Sequence, residues 1–129
     1  MPKKLSDFVT EARSAIREIT PDDLEEMKAA AGDLLIVDVR EPDEYQAGHI
    51  EGAINVPRGT LEGAADPDYH KRHETLCRAH DRPVVLYCES GGRSAMATRT
   101  LSEMGFSDVR NLAGGVKTWE AEDFPLVND

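Results

Sequence analysis

Residues 83 to 94, Pro-Val-Val-Leu-Tyr-Cys-Glu-Ser-Gly-Gly-Arg-Ser, have types and an order suited to nucleophilic chemistry. An apolar run from Val84 to Tyr87 ends abruptly at Cys88. The chain then turns through Gly91 and Gly92 to Arg93 and a helix-like stretch reaching Gly105. Successive N–H groups in a tight loop, with the unpaired N–H groups of a helix start, form a nest for an anion. The same field favours a thiolate, the reactive form of cysteine. Two readings follow: a nucleophilic cysteine facing a small oxyanion, or a buried cysteine that simply ends a core strand.

A strand–loop–helix unit of this kind needs neighbours to hold it. Leu34 to Val39 is a near-continuous apolar run, as expected of a central strand covered on both faces. Glu41-Pro42-Asp43-Glu44 starts a short helix that Gly48 closes, with proline tolerated in the first turn. Arg17 to Thr20 and Ala53 to Val56 read as short strands, and Val109 to Leu112 as a last one. Thr20-Pro21-Asp22-Asp23 has the pattern of a helix start, with a capping hydroxyl, an early proline and acids near the positive helix end. Leu24 and Met27 face the core of that helix, and Gly32 ends it. Residues 58 to 68 carry glycines, Asp66 and Pro67 and read as loop, whereas residues 69 to 80 read as a polar helix. Ala97, Leu101 and Met104 share one helical face, and Gly114-Gly115 turns the chain into a final helix bearing Val116 and Trp119. Leu5, Phe8, Val9, Ala12 and Ile16 recur at spacings of three and four, an amphipathic helix starting near Ser6 or Asp7. Alternating strands and helices predict an α/β domain over residues 17–129, with a mainly parallel five-stranded sheet and helices on both faces, preceded by a helical extension over 1–16.

The chain has 129 residues, enough for one domain with a real core. A hydrophobic content of 40% with 31% charged residues fits a globular rather than a disordered chain. Fifteen basic against twenty-five acidic side chains give a net charge of −10, which disfavours nucleic acid and anionic membranes as partners. An anion site on such a chain must therefore be strongly local. The two lysines at the start precede no apolar segment, so the expected location is the cytoplasm. Two cysteines make no disulfide framework and point to chemistry instead.

Three ordered motifs carry a family resemblance. Residues 38 to 57, Asp-Val-Arg-Glu-Pro-Asp-Glu-Tyr-Gln-Ala-Gly-His-Ile-Glu-Gly-Ala-Ile-Asn-Val-Pro, resemble the first signature of the rhodanese family. Residues 104 to 119 resemble its C-terminal signature, notably Leu112-Ala-Gly-Gly-Val-Lys-Thr-Trp119. Cys88 to Arg93 lies between them, at the place of the family's active-site loop. The similarity spans roughly residues 17 to 126. It implies a single rhodanese-like domain and a sulfurtransferase that needs no cofactor. Cys88 is then the nucleophile, taking sulfane sulfur from a donor such as thiosulfate and passing it from a persulfide to cyanide, a small thiol or a protein acceptor. The N–H groups of Glu89, Ser90, Gly91, Gly92, Arg93 and Ser94 would cradle thiolate, persulfide and departing sulfite. Sulfur-transferring members count six residues from cysteine to arginine, and the related cell-cycle phosphatases seven. Cys88 to Arg93 is six, with Tyr87 where cysteine phosphatases commonly carry histidine.

Several residues keep two readings. Arg93 either points into the loop, which its family position favours, or folds outward onto carboxylates of the 38-to-44 segment. Arg40 shares the strand-end rim with Cys88 and could bind substrate there, but an ion pair with Asp38 or Glu44 is the favoured role. Glu89 would raise the thiol pKa and disfavour anionic donors if it faced inward, and the favoured reading turns it to solvent. Ser90 and Ser94 offer hydroxyls to the persulfide, unless Ser94 caps the following helix. His49 and Asp38 read as structural hydrogen-bonding groups and Trp119 as core. His70, His73, Cys77 and His80 fall at helical spacing, but four ligands on one helix cannot surround a tetrahedral ion, so a solvated face is expected there and no metal. Whether Cys77 resolves the Cys88 persulfide to a disulfide depends on their separation. Oligomeric state is left open by the sequence. The competing functional classes are a non-catalytic interaction module built on the same fold, and phosphatase-type chemistry.

Overall fold

The computed structural model describes residues 1–30 and 32–129; the end of the second helix, expected at Gly32, therefore falls partly outside the described residues, at Ala31. Five strands form one parallel sheet in the order β1-β5-β4-β2-β3, with β1 Arg17–Ile19, β2 Leu35–Asp38, β3 Ile54–Asn55, β4 Pro83–Tyr87 and β5 Asp108–Leu112. Six α-helices accompany them among the described residues: α1 Leu5–Ser14, α2 Pro21–Ala30, α3 Pro42–Ala47, α4 Leu61–Ala65, α5 Gly92–Glu103 and α6 Gly115–Ala121.

The central strands explain their own composition. Side chains alternate across a strand, so Val84, Leu86 and then Cys88 face one core cluster, while Val85 and Tyr87 face the other. Leu61, Ala64 and Ala65 of α4 and Ala97 and Leu101 of α5 cover the cysteine's face. Leu24 of α2 and Val116 and Trp119 of α6 cover the opposite one. A strand buried on both sides has no polar position to offer, which is why these runs are apolar throughout. Asp38 pairs with Tyr87 in the ladder, and the Val39 N–H donates to the Tyr87 carbonyl at 3.0 Å. The ends of β2 and β4 are thus level, and Arg40 and Cys88 leave the sheet at one rim.

The start of α2 follows its sequence pattern. The Thr20 hydroxyl accepts the Asp23 N–H at 3.1 Å and the Asp23 carboxylate accepts the Thr20 N–H at 3.0 Å, a reciprocal cap. Three expectations are corrected. Residues 58 to 68 are not simply loop: a 3-10 turn at Arg58–Thr60 leads into α4, because burial of Leu61, Ala64 and Ala65 outweighs the local glycines. Residues 69 to 80 are not a helix, and hold only a 3-10 turn at Leu76–Arg78. There the His73 ring nitrogen accepts the N–H groups of Thr75 and Leu76, a local bond that replaces helical carbonyls. The apolar stripe of α1 is only partly used: Ala12 is buried, whereas Leu5 and Phe8 remain 70% and 49% exposed. That helix starts at Leu5, with Asp7 accepting the Lys4 N–H, and packs on α5.

Candidate active site

Cys88 sits one residue past β4 and is 1% exposed. Its Sγ receives the Gly91 N–H at 3.1 Å, the Ser94 N–H at 3.4 Å and the Ser94 hydroxyl at 3.4 Å. Three donors converging on one sulfur stabilise negative charge there. Ser94 is fully buried in the first turn of α5 and is not the cap; Gly91 occupies that position with φ +98°. A side chain at Gly91 would be strained by that backbone conformation, so the tight turn that aims its N–H at sulfur calls for glycine. The N–H groups of Glu89, Ser90, Gly92 and Arg93 have no acceptor among the described residues. They remain available to an anion at the mouth.

The loop is held from behind by its carbonyls. Val116 and Lys117 in the first turn of α6 donate N–H groups to the carbonyls of Cys88 and Glu89, each at 3.0 Å. These bonds satisfy orphan donors of the helix start and turn the loop's oxygens outward. Gly115 makes the approach possible, because a Cβ there would collide with the Cys88 and Glu89 carbonyl oxygens. The double glycine read only as a turn in the sequence is therefore also the seat of the loop. The other support is Asn111 of β5, whose amide donates to the Gly91 carbonyl at 3.2 Å. Nothing in the sequence marks Asn111 as more than a polar residue in an apolar strand, and that mismatch was the available signal.

The two arginines of the rim are both engaged by carboxylates. Arg40 is buried against Asp38, with Nη2 at 2.7 Å from Oδ2 and a further bond to the Gly48 carbonyl at 2.7 Å. Burial pulls its pKa down, but the hydrogen bonds and charge of Asp38 outweigh burial and the net shift is upward. Arg40 is thus engaged by Asp38 and the Gly48 carbonyl, the ion pair that was the favoured of its two readings. Arg93 is the larger correction: it folds outward, forming a bidentate pair with Glu44 at 2.9 and 3.0 Å. A planar guanidinium facing a carboxylate in reach prefers that fork to an isolated place over the loop. Its hydrogen bonds to Glu44 raise its pKa against the cost of burial, with smaller contributions from the charges of Glu44, Cys88 and Glu89. Arg93 in turn holds the Glu44 carboxyl at about 2, burial opposing and the Glu41 N–H assisting. Glu89 and Ser90 are exposed.

The remaining candidates lie elsewhere. His49 is buried, stacks on Tyr45 at 3.8 Å between ring centroids, and bonds through Nδ1 to the Tyr45 carbonyl at 2.9 Å. Trp119 is in the core with its N–H on the Pro125 carbonyl at 2.8 Å. The Tyr87 hydroxyl accepts the Ile50 N–H, and burial foremost, then the charge of Asp38, pushes its pKa up. Cys77 and Cys88 are both free thiols, and the Cys77 thiol points to the Glu74 carbonyl at 3.6 Å. His70, His73, Cys77 and His80 do not share a helix face: His70 is exposed, Cys77 buried, and His80 stacked on Phe106. Among the described residues no group of His, Cys, Asp and Glu is arranged to hold a metal ion. No helix of the described residues is long and apolar enough to cross a membrane.

A parallel sheet with a cysteine in a backbone-lined loop past a central strand defines the class. The chain belongs to the rhodanese-like domain family, whose model matches residues 20–122. It is 39% identical over 95 residues to the uncharacterized protein YqhL of Bacillus subtilis, covering 74% of this chain and 68% of that one. It is 37% identical over 103 residues to the chloroplastic thiosulfate sulfurtransferase 16 of Arabidopsis thaliana, covering 74% of this chain and 85% of the relative. Among solved structures, a Rhodopseudomonas palustris protein of unknown function, described as a possible tyrosine phosphatase, superposes with a TM-score of 0.90 at 32% identity. That match covers 98% of this chain and 96% of the other, so α1 belongs to the shared architecture.

Proposed function

We propose that the protein is a sulfurtransferase in which Cys88 carries the transferred sulfur as a persulfide. The observation that carries this reading is the convergence on Cys88 Sγ of the Gly91 N–H, from the six-residue loop Cys88 to Arg93, and of the two donors of Ser94 just past it. The Cys88 thiolate attacks the outer sulfur of a donor such as thiosulfate. A new S–S bond forms, the donor's S–S bond breaks, and sulfite leaves with the electron pair. Cyanide or a thiolate then attacks the outer sulfur of the persulfide and releases thiocyanate or a new persulfide, regenerating the Cys88 thiolate. Splitting one transfer into two displacements makes the kinetics ping-pong. With Arg93 held on Glu44, the backbone N–H groups of the loop carry the anion stabilisation in both steps.

The direct test is intact-mass analysis after incubation with thiosulfate. One added sulfur atom is expected on the protein and none on Cys88→Ser; an unmodified Cys88, where a known rhodanese gains sulfur, would sink the proposal. The description of the R. palustris protein favours a second reading, phosphatase-type chemistry. Six residues from Cys88 to Arg93 enclose too small a ring for it, and Cys88-dependent turnover of an aryl phosphate is the result that would establish it.

A further inference from the structure

Asn111 is fully buried at the end of β5, and its Oδ1 has no hydrogen-bond partner among the described residues. A buried strand position adjoining Leu112 would pack with leucine or valine, without an orphaned carbonyl. What the amide adds is its two N–H groups, and both are used: Nδ2 donates to Glu18 Oε2 at 2.9 Å and to the Gly91 carbonyl at 3.2 Å. Two acceptors on one atom fix which end of the amide is nitrogen. Gly91 is also the residue whose N–H reaches Cys88 Sγ at 3.1 Å. Glu18 is clamped in its turn by Arg13 of α1, whose Nε and Nη2 both lie 3.0 Å from Oε1. An unbroken chain of bonds thus runs from the N-terminal helix through Glu18, Asn111 and Gly91 to the sulfur. Val9 of the same helix abuts Gly92, where an added Cβ would lie 3.4 Å from its Cγ2.

We propose that Asn111 is a positioning residue for the Cys88 loop, holding the Gly91 carbonyl outward so that the loop N–H groups stay turned to the sulfur, with Glu18 and Arg13 of α1 as its anchor. The trans peptide supplies the reason. Its C=O and N–H point in opposite directions, so fixing the Gly91 carbonyl on Asn111 fixes the Gly92 N–H on the other side of the peptide. Residue 91 is then held at both its ends, by Asn111 at the carbonyl and by the sulfur at the N–H. The Ala95 N–H also bonds this carbonyl, at 3.0 Å, but that bond belongs to the helix and moves with it. Among the described residues only Asn111 ties the Gly91 carbonyl to the sheet, and α1 acquires a role in the site beyond the contact of Val9 with Gly92.

This inference rests on the proposed sulfur chemistry only for its consequence, and it is tested without it. The rate of Cys88 alkylation by iodoacetamide is measured across pH in the wild type and in Asn111→Leu. Removal of the donors moves the profile toward higher pH, so that the rate near neutrality falls about tenfold while the high-pH plateau is unchanged. A merely structural change would alter access and move the plateau. Should leucine prevent folding, Asn111→Ala removes the same donors without added bulk. A superimposable profile in whichever folded variant is measured overturns the proposal. A wild-type protein that alkylates readily but takes no sulfur from thiosulfate would defeat the sulfur-transfer reading and leave this one standing.

Discussion

Two arginine–carboxylate pairs flank the rim beside Cys88, and their surroundings give them different work. In Asp38–Arg40 the side chains are 0% and 7% exposed, and the guanidinium is also bonded to the Gly48 carbonyl. In Glu44–Arg93 they are 30% and 37% exposed. Opening the first pair would leave a charge in a medium that cannot solvate it, so the pair is a permanent pin between the end of β2 and the α3–β3 connection. Opening the second exchanges a carboxylate for water, at small cost. The first pair fixes the rim; the second stores a positive charge close to the sulfur without committing it to the loop.

The sharpest way to break this distinction is to remove one acid from each pair. Asp38→Ala should lower unfolding stability by about 3–5 kcal/mol, the cost of an uncompensated buried charge. Glu44→Ala should stay within about 1 kcal/mol, as half-exposed pairs do. Urea titration measures both. Equal losses would show that exposure does not divide the pairs, and that Glu44–Arg93 is a structural pin as well.

The same contrast explains what was legible in the chain. Apolar runs such as Val84 to Tyr87 gave away the central strands because burial on both faces leaves no other composition open to them. Cys88, Gly91 and Gly92 were legible because a strand that stops at cysteine and turns through glycine serves few purposes besides a nest. The partner of Arg93 was legible only as a segment, the carboxylates of residues 38 to 44 being one of its two readings, and the level ends of β2 and β4 bring Glu44 to it. Asn111 and Glu18 were hidden: their bond joins β1 to β5, strands at opposite ends of the chain. Residues 58 to 80 misled because local signals there compete with burial. Glycines disguised α4, and the helical spacing of four polar side chains disguised a turn that His73 closes itself.

A smaller effect separates the pairs in function. If Glu44 holds Arg93 off the loop, Glu44→Gln frees a unit charge beside the mouth, worth about 1 kcal/mol to an anionic donor. The apparent KM for thiosulfate should then fall about fivefold. Arg93→Ala should raise it instead, because Glu44 is left as an unpaired carboxylate at the mouth. Steady-state thiocyanate formation reads both variants. An unchanged KM in Glu44→Gln would mean that Arg93 does not reach the donor even when released.

The smallest expected effect is in acid. Arg93 lowers the Glu44 carboxyl from 4.5 to about 2 in the folded protein. A carboxyl lowered by folding contributes stability above its unfolded value and loses it as protons are taken up on the way down. The difference in urea midpoint between wild type and Glu44→Gln should therefore be constant from neutrality to about pH 5 and close between 4.5 and about 2. Because the pair is open to water, high salt should narrow that difference at neutral pH, as the Debye length shrinks to about 3 Å near 1 M. A difference that survives to pH 2 in either salt would mean that Glu44 acts through the shape of its fork with Arg93. The comparison with Asp38–Arg40 would then rest on packing rather than on charge.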